Sequence, residues 1–155
     1  MRLYSSSKKH LRGLANPPAD HQAFTRWLAT NDLDTNESFL ICVKNDDAIA
    51  GTIGLSQIFR RGFQNAYLGY LLGAGFVGKG YMTEAVSKML RYAFVDLKLH
   101  RIEANVQPDN LPSIRVLVRN GFTKEGFSRK YLKIGGRWRD HERWAIIRED
   151  WERKR

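Results

Sequence analysis

Four glycines, Gly73, Gly75, Gly78 and Gly80, separate an apolar run at 67–72 from a helical period that opens at Tyr81. Backbone N–H groups at a helix N-terminus, unshielded by side chains, bind anions, because the unsatisfied donors and the helix dipole both favour negative charge. The chemistry on offer is phosphate binding. Gly73-x-Gly75-x-x-Gly78 also coincides with the dinucleotide fingerprint, but that fold needs an acidic residue roughly 20 positions on, at the end of the next strand. That offset reaches Asp96, at the tail of the helix and before any strand. The chain is also too short for two mononucleotide halves and a substrate domain. Taken alone, the loop is as readily a flexible connection as a phosphate site.

Past the helix, His100-Arg-Ile-Glu-Ala-Asn-Val106 alternates with period two. Arg101, Glu103 and Asn105 fall on one face, Ile102, Ala104 and Val106 on the other. Glu103 is a carboxylate that could take a proton, directly or through water, or simply pair with Arg101. Next comes Pro108-Asp-Asn110-Leu-Pro112-Ser113, running to Asn120-Gly121-Phe122. Asp109 or Asn110 suits an N-cap, Pro112 the first turn and Gly121 the C′ stop of a helix. Ser113 falls in that helix's first turn, where its hydroxyl can bond local backbone or meet a ligand.

This ordered set of strand, glycine-rich turn, helix, strand, Asn-x-x-Ser helix and Asn-Gly-Phe resembles the GNAT superfamily of N-acetyltransferases, which bind acetyl-coenzyme A. From about Ile49 onward the chain is similar to the ribosomal-protein-alanine N-acetyltransferases of the RimJ and RimL type. The residues that carry the similarity are Gly78-Lys-Gly80-Tyr-Met82-Thr-Glu84-Ala, His100-Arg-Ile-Glu, Asn110-x-x-Ser113, Arg119-Asn-Gly-Phe122 with Glu125-Gly126, and Trp138-Arg-Asp140-His141. The resemblance implies an α+β fold with a mixed sheet, in which a splayed central parallel pair is flanked by antiparallel hairpins. It implies cofactor contacts at Leu71, Leu72, Gly78, Lys79, Gly80, Tyr81, Met82, Asn110 and Ser113, with Ser113 near the pantetheine or the thioester sulfur. No metal is implied, and four scattered histidines with one cysteine show no ligand spacing.

The sequence departs from the superfamily pattern in several places. Val77 stands where the pyrophosphate motif has Gln or Arg, and Met82 where it has a small residue. Main-chain N–H groups do most of the phosphate binding, so the site is expected to be weakened rather than lost. The tyrosine acid that many members place seven residues after the asparagine is Leu117 here, and the glutamate that some place five residues before it is Asn105. Glu103 is then the best base candidate and Ser113 the second catalytic candidate. Asp140 and His141 recur in the resemblance, though a lone Asp-His pair on a strand is more often structural. Relatives open with a strand, whereas the stretch from Met1 to Lys9 already resembles the approach to the first helix, so that strand is expected to be missing.

The elements that must position these groups follow from patterning. Residues 20–30 carry a helical stripe through Ala23, Phe24, Trp27 and Leu28, and 31–38 reads as a polar loop. Strands at 39–44 and 49–55 flank Asn45-Asp46-Asp47, a hairpin turn, and strands at 127–134 and 137–147 flank Gly135-Gly136. The helix at 81–97 shows an apolar face through Met82, Ala85, Val86, Met89, Ala93, Phe94 and Leu97. With 155 residues and 43% hydrophobic content, the chain is expected to form one GNAT domain over 1–155. No apolar run reaches the roughly 20 residues of a membrane span, no signal-peptide pattern is read at the start of the chain, and Cys42 reads as a buried thiol, so the cytoplasm is expected.

Acetyl transfer needs a neutral amine, a polarised carbonyl and a thiol leaving group. An α-amine titrates near 7.7–8.0, so about a tenth is neutral at pH 7, whereas well below a thousandth of a lysine amine is neutral. An α-amine acceptor therefore suits a site without the tyrosine. A net charge of +10, with 26 basic and 16 acidic residues, disfavours a polyamine or aminoglycoside pocket and suits a ribosomal, RNA-rich partner. Basic clusters lie at Lys8-Lys9-His10, Arg60-Arg61, Arg129-Lys130 and Arg153-Lys154-Arg155, and a solvated face explains them equally. Three functions stand at this point. They are an N-terminal α-amine acetyltransferase acting on a ribosomal protein, a small-amine or antibiotic acetyltransferase, and a ribosome- or RNA-binding factor with a vestigial acetyl-coenzyme A site. The loops at 31–38 and 58–65, which would line the acceptor pocket, match no motif.

Overall fold

Six strands form one open sheet in the computed structural model, which describes residues 2–15, 17–18, 20–30, 34–44 and 48–154. They are β1 (Glu37–Cys42), β2 (Ile49–Phe59), β3 (Asn65–Leu72), β4 (Arg101–Val106), β5 (Thr123–Ile134) and β6 (Arg137–Ile147), in the spatial order β1-β2-β3-β4-β6-β5. β1, β2 and β3 form an antiparallel set, as do β4, β6 and β5. The two sets join where β3 and β4 run parallel. The expected turn at Asn45-Asp46-Asp47, the first residues of the 31–38 loop and Arg155 lie outside the described residues.

Period-two patterning sorts the sheet's faces. Ile102, Ala104 and Val106 are buried on one side of β4, while Arg101, Glu103 and Asn105 are only half-buried on the other. The buried side packs against helix α4 (Tyr81–Arg91) through Met82, Val86, Met89 and Leu90, and against helix α5 (Leu111–Arg119) through Leu117. Each large aliphatic side chain so buried stabilises the fold by about 1.5–3 kcal/mol. On the opposite face lie α1 (Arg2–Ser6) and α2 (Lys8–Leu11), where the Tyr4 hydroxyl meets Thr52 Oγ1 at 3.3 Å. Ser7 Oγ accepts the Ala74 N–H at 3.0 Å and so ties these helices to the end of β3.

Several expectations needed correction. β2 runs on to Phe59, past a register shift between Ser56 and Phe59 where Gln57 takes φ +50°. Asn65 opens β3 rather than closing a loop. The helix expected over 81–97 is α-helical only to Arg91 and continues as a π-helical turn, Tyr92–Asp96, with Ala93 and Phe94 both buried. Cys42 is exposed, not buried, because it sits on an edge strand whose register shifts between Ile41 and Cys42. Helix α3 (His21–Leu28) is capped by Asp20, which accepts the Ala23 N–H at 2.7 Å, but it buries no residue fully and leaves Leu28 exposed. A short helix, α6 (Arg148–Glu152), follows β6, and its Trp151 ring packs 5.3 Å from Phe94. Among the described residues no helix is long and apolar enough to cross a membrane.

Candidate active site

The parallel junction opens almost as soon as it forms. Asn65, Ala66 and Tyr67 pair with Arg101, Ile102 and Glu103, and there the β3–β4 pairing stops. Beyond it, Leu68 to Leu72 pair only with β2, and Ala104 to Val106 only with β6. The sheet is therefore split at its centre. Both strands present their C-terminal ends to this split, so the N-termini of the helices that follow them, α4 and α5, converge on it. Ligands of open α/β sheets bind at such a place.

The α4 end is built by backbone conformation. Gly78 and Gly80 take φ of +77° and +83°, the left-handed region that only glycine enters without strain. Gly80 is the N-cap and supplies no side-chain cap. A Cβ at either glycine would meet no atom within 4 Å, so the main chain here is uncovered. An uncovered turn at a helix N-terminus fits a pyrophosphate. The adjoining groove, of about 260 Å³, is lined by Leu71, Leu72, Gly78, Gly80, Tyr81 and Met82 on one side. Asn110 and Ser113 line it from α5, and His10 and Leu11 from α2. Of the expected cofactor residues, only Lys79 stands apart, its ammonium 5.9 Å from the centre of the Phe76 ring. Met82 is a core residue as well, so it can offer a ligand little beyond its backbone. A larger cavity of about 360 Å³ lies between β1 and α4, lined mainly by apolar side chains. Among the expected site residues it touches only Tyr81.

At the α5 end, Asn110 is the N-cap, and its Oδ1 accepts the Ser113 N–H at 3.3 Å. The helix closes in a Schellman arrangement: the Phe122 N–H reaches Leu117 O, the Gly121 N–H reaches Val118 O, and Gly121 has φ +86°. Ser113 Oγ lies 2.6 Å from the hydroxyl of Tyr70, which projects from β3. Burial pushes the Tyr70 phenol up to about 12. Sequence reasoning missed Tyr70. Its place in the β3 alternation shows that it points inward, but its partner lies 43 residues away. Leu117, where the superfamily's tyrosine acid would stand, is fully buried in the core.

Glu103 belongs to the other face of the sheet, at the last paired position before the split. Its Oε1 accepts Arg101 Nε at 2.9 Å and Asn65 Nδ2 at 3.2 Å. Arg101 turns its two terminal nitrogens to the Glu125 carboxylate. That hydrogen-bonded guanidinium holds the Glu125 carboxyl below the usual range, and Glu125 in turn raises Arg101. The Tyr67 phenol is raised by burial and by the charge of Glu103. Asp140 and His141 have local contacts: Asp140 Oδ1 accepts the Lys130 N–H at 2.7 Å, and the buried His141 ring holds Nδ1 3.0 Å from Arg139 O. Among the described residues no group of three or more His, Cys, Asp or Glu side chains could hold a metal ion.

The split sheet, with two helix N-termini converging on it, thus carries a hydroxyl and a carboxylate on its opposite faces. Residues 2–123 match the family model described as the acetyltransferase (GNAT) domain, and the chain belongs to that family of acetyl-coenzyme A-dependent N-acetyltransferases. The chain is 50% identical over 126 residues to a probable N-acetyltransferase of Bacillus subtilis, YjcK, covering 81% of this chain and 70% of that one. It is 41% identical over 107 residues to the [ribosomal protein uS5]-alanine N-acetyltransferase of Escherichia coli, covering 69% of this chain and 55% of that enzyme. The chain thus spans only about half the length of that enzyme. Mycobacterium smegmatis RimJ, solved in complex with CoA-disulfide, superposes with a TM-score of 0.83 at 28% identity, over 96% of this chain and 75% of that one.

Proposed function

We propose that this chain moves the acetyl group of acetyl-coenzyme A onto the N-terminal α-amine of a protein, a ribosomal protein being the favoured acceptor. The observation that carries the proposal is the split between β3 and β4, with Ser113 on one face and Glu103 on the other. An amine approaching from the Glu103 face would meet a thioester carbonyl held from the groove. The new N–C bond forms as the C–S bond breaks, and the electron pair leaves on sulfur.

In this reading the uncovered turn at Gly78 and Gly80 receives the pyrophosphate, with the main chain of Lys79, Tyr81 and Met82 beside it, and the groove beside Leu71, Leu72 and Asn110 receives the pantetheine arm. Ser113 donates towards the departing sulfur. Both hydrogen bonds to Glu103 fall on Oε1, which leaves Oε2 to take a proton from the amine, directly or through water. A carboxylate already engaged in this way suits an acceptor that needs modest help, and an α-amine is about a tenth neutral at pH 7 without any. The similarity to an enzyme named for the alanine of uS5 supports a protein N-terminus over a free polyamine.

The test is thiol release from acetyl-coenzyme A with a panel of acceptors. Peptides beginning with alanine or serine are expected to turn over, and the same peptides with the α-amine blocked and a lysine free are not. Robust turnover of the blocked peptide, or of a polyamine, would reassign the acceptor.

A further inference from the structure

We propose that Tyr70 is a positioning residue for the acetyl transfer: its phenol donates to Ser113 Oγ and thereby directs the Ser113 hydroxyl proton into the groove, towards the leaving sulfur. The inference rests on the acetyl-transfer reading above and adds a residue to it.

The geometry distinguishes the two ways the pair can bond. If Tyr70 donates to Ser113 Oγ, its proton occupies a 2.6 Å contact and the serine proton is free. If Ser113 donates instead, the phenol must find another acceptor, and the one within reach is Ser113 O at 3.4 Å, a far weaker bond. A phenol is also the better donor of the two hydroxyls, and the first arrangement prevails. Two further contacts leave Ser113 little freedom. Its N–H is held by Asn110 Oδ1, and the helix dipole of α5 points its positive end at the same place. Since Ser113 lines the groove, its freed proton has the groove as its outlet.

The same magnitudes exclude a proton relay. Burial pushes the phenol up to about 12, whereas a thiol of ordinary acidity lies near 8.5, so moving a proton from Tyr70 to a thiolate runs uphill by a factor of more than about a thousand. Tyr70 therefore stays protonated throughout. It fixes a hydrogen-bond donor, and the proton that finally neutralises the thiolate comes from the amine or from solvent.

Tyr70→Phe keeps the ring and removes the hydroxyl. It is expected to lower kcat about tenfold, the effect of one bond to a developing charge, while KM for acetyl-coenzyme A changes less than about twofold. Ser113→Ala is expected to cost at least as much, and the double variant no more than Ser113→Ala alone, since Tyr70 acts only through Ser113. A readout independent of turnover is the thiolate absorbance of bound coenzyme A against pH. The wild type should hold the bound thiol ionised at lower pH than either single variant, and the two variants should shift it alike. Losses that multiply in the double variant, or a bound thiol unmoved by Tyr70→Phe, would overturn the role. Should that variant not fold, 3-fluorotyrosine at position 70 is a stronger donor of the same shape. It should increase the thiolate fraction, and no change or a decrease would overturn the proposal. A wild-type protein that binds no coenzyme A by calorimetry would remove the acetyl-transfer reading itself, and the Tyr70 role with it.

Discussion

Glu103 and Tyr70 illustrate how residue identity becomes chemistry only through neighbours. Glu103 has an ion-pair partner in Arg101, so a base role and a structural role make different predictions for Glu103→Gln. As base, the variant should lose about tenfold to a hundredfold in kcat, most at low pH, with unchanged affinity for coenzyme A. A pH–rate profile parallel to that of the wild type, with a lowered Tm, would assign Glu103 to structure. Tyr70 makes a second prediction at this scale, about stability. Its folded value, about 12, lies above the ordinary value of 10.0, so its contribution is complete below pH 10 and is lost as pH rises towards 12. The unfolded chain releases that proton first. The loss integrates to roughly 3 kcal/mol. Tyr92, held by the Glu37 carboxylate, is also pushed up to about 12 and acts in the same direction. Denaturant melts between pH 9 and 12 should therefore show a shallower alkaline decline for Tyr70→Phe than for the wild type.

Among the elements, the turns carry the strictest demands. Gly80→Asp would force a side chain and a negative charge into the open space at the α4 N-cap, on a backbone with φ +83°. Coenzyme A should then no longer raise the Tm, and retained affinity would show that the phosphate lies elsewhere. Gly121→Ala carries no functional consequence but should destabilise by about 1 kcal/mol or more, because the position has φ +86° and the new Cβ would sit 2.8 Å from Lys154 Nζ. Chemical denaturation measures that loss directly. These turns were legible in the sequence because caps are local: Asn110, Gly80 and Gly121 each announce a helix end within a few residues. The strands of the two hairpins were legible through alternation, whereas the splay of the central pair came only from the family resemblance. What could not be read was pairing at a distance. The Tyr70–Ser113 contact and the Arg101–Glu125 bridge join residues far apart in the chain, and nothing in either segment names its partner. Cys42 was misread because an apolar run does not reveal that its strand lies at the edge of the sheet.

For the molecule as a whole, the positive charge is less available than its total suggests. Arg60 is bonded to Leu97 O, Lys154 reaches Gly121 O, and Arg153 pairs with Asp150. His10 lines the groove, as do Arg115 and Arg119 from α5, so basic side chains stand where an anionic ligand is expected. The two halves of the sheet are held together by three residue pairs between β3 and β4, with the groove on one face of the split and Glu103 on the other. In the proposed function, an amine and a thioester would meet across that split from opposite sides. As pH rises towards the lysine range, selectivity for the α-amine should narrow, because the neutral fraction of lysine grows while that of the α-amine saturates. The most direct measurement pairs acetyl-coenzyme A with a peptide that carries both a free N-terminal alanine and an internal lysine, at neutral pH, and locates the acetyl group by fragmentation mass spectrometry. Acetylation is expected at the N-terminal nitrogen, and a product modified at the lysine while the α-amine stays free would contradict the α-amine assignment.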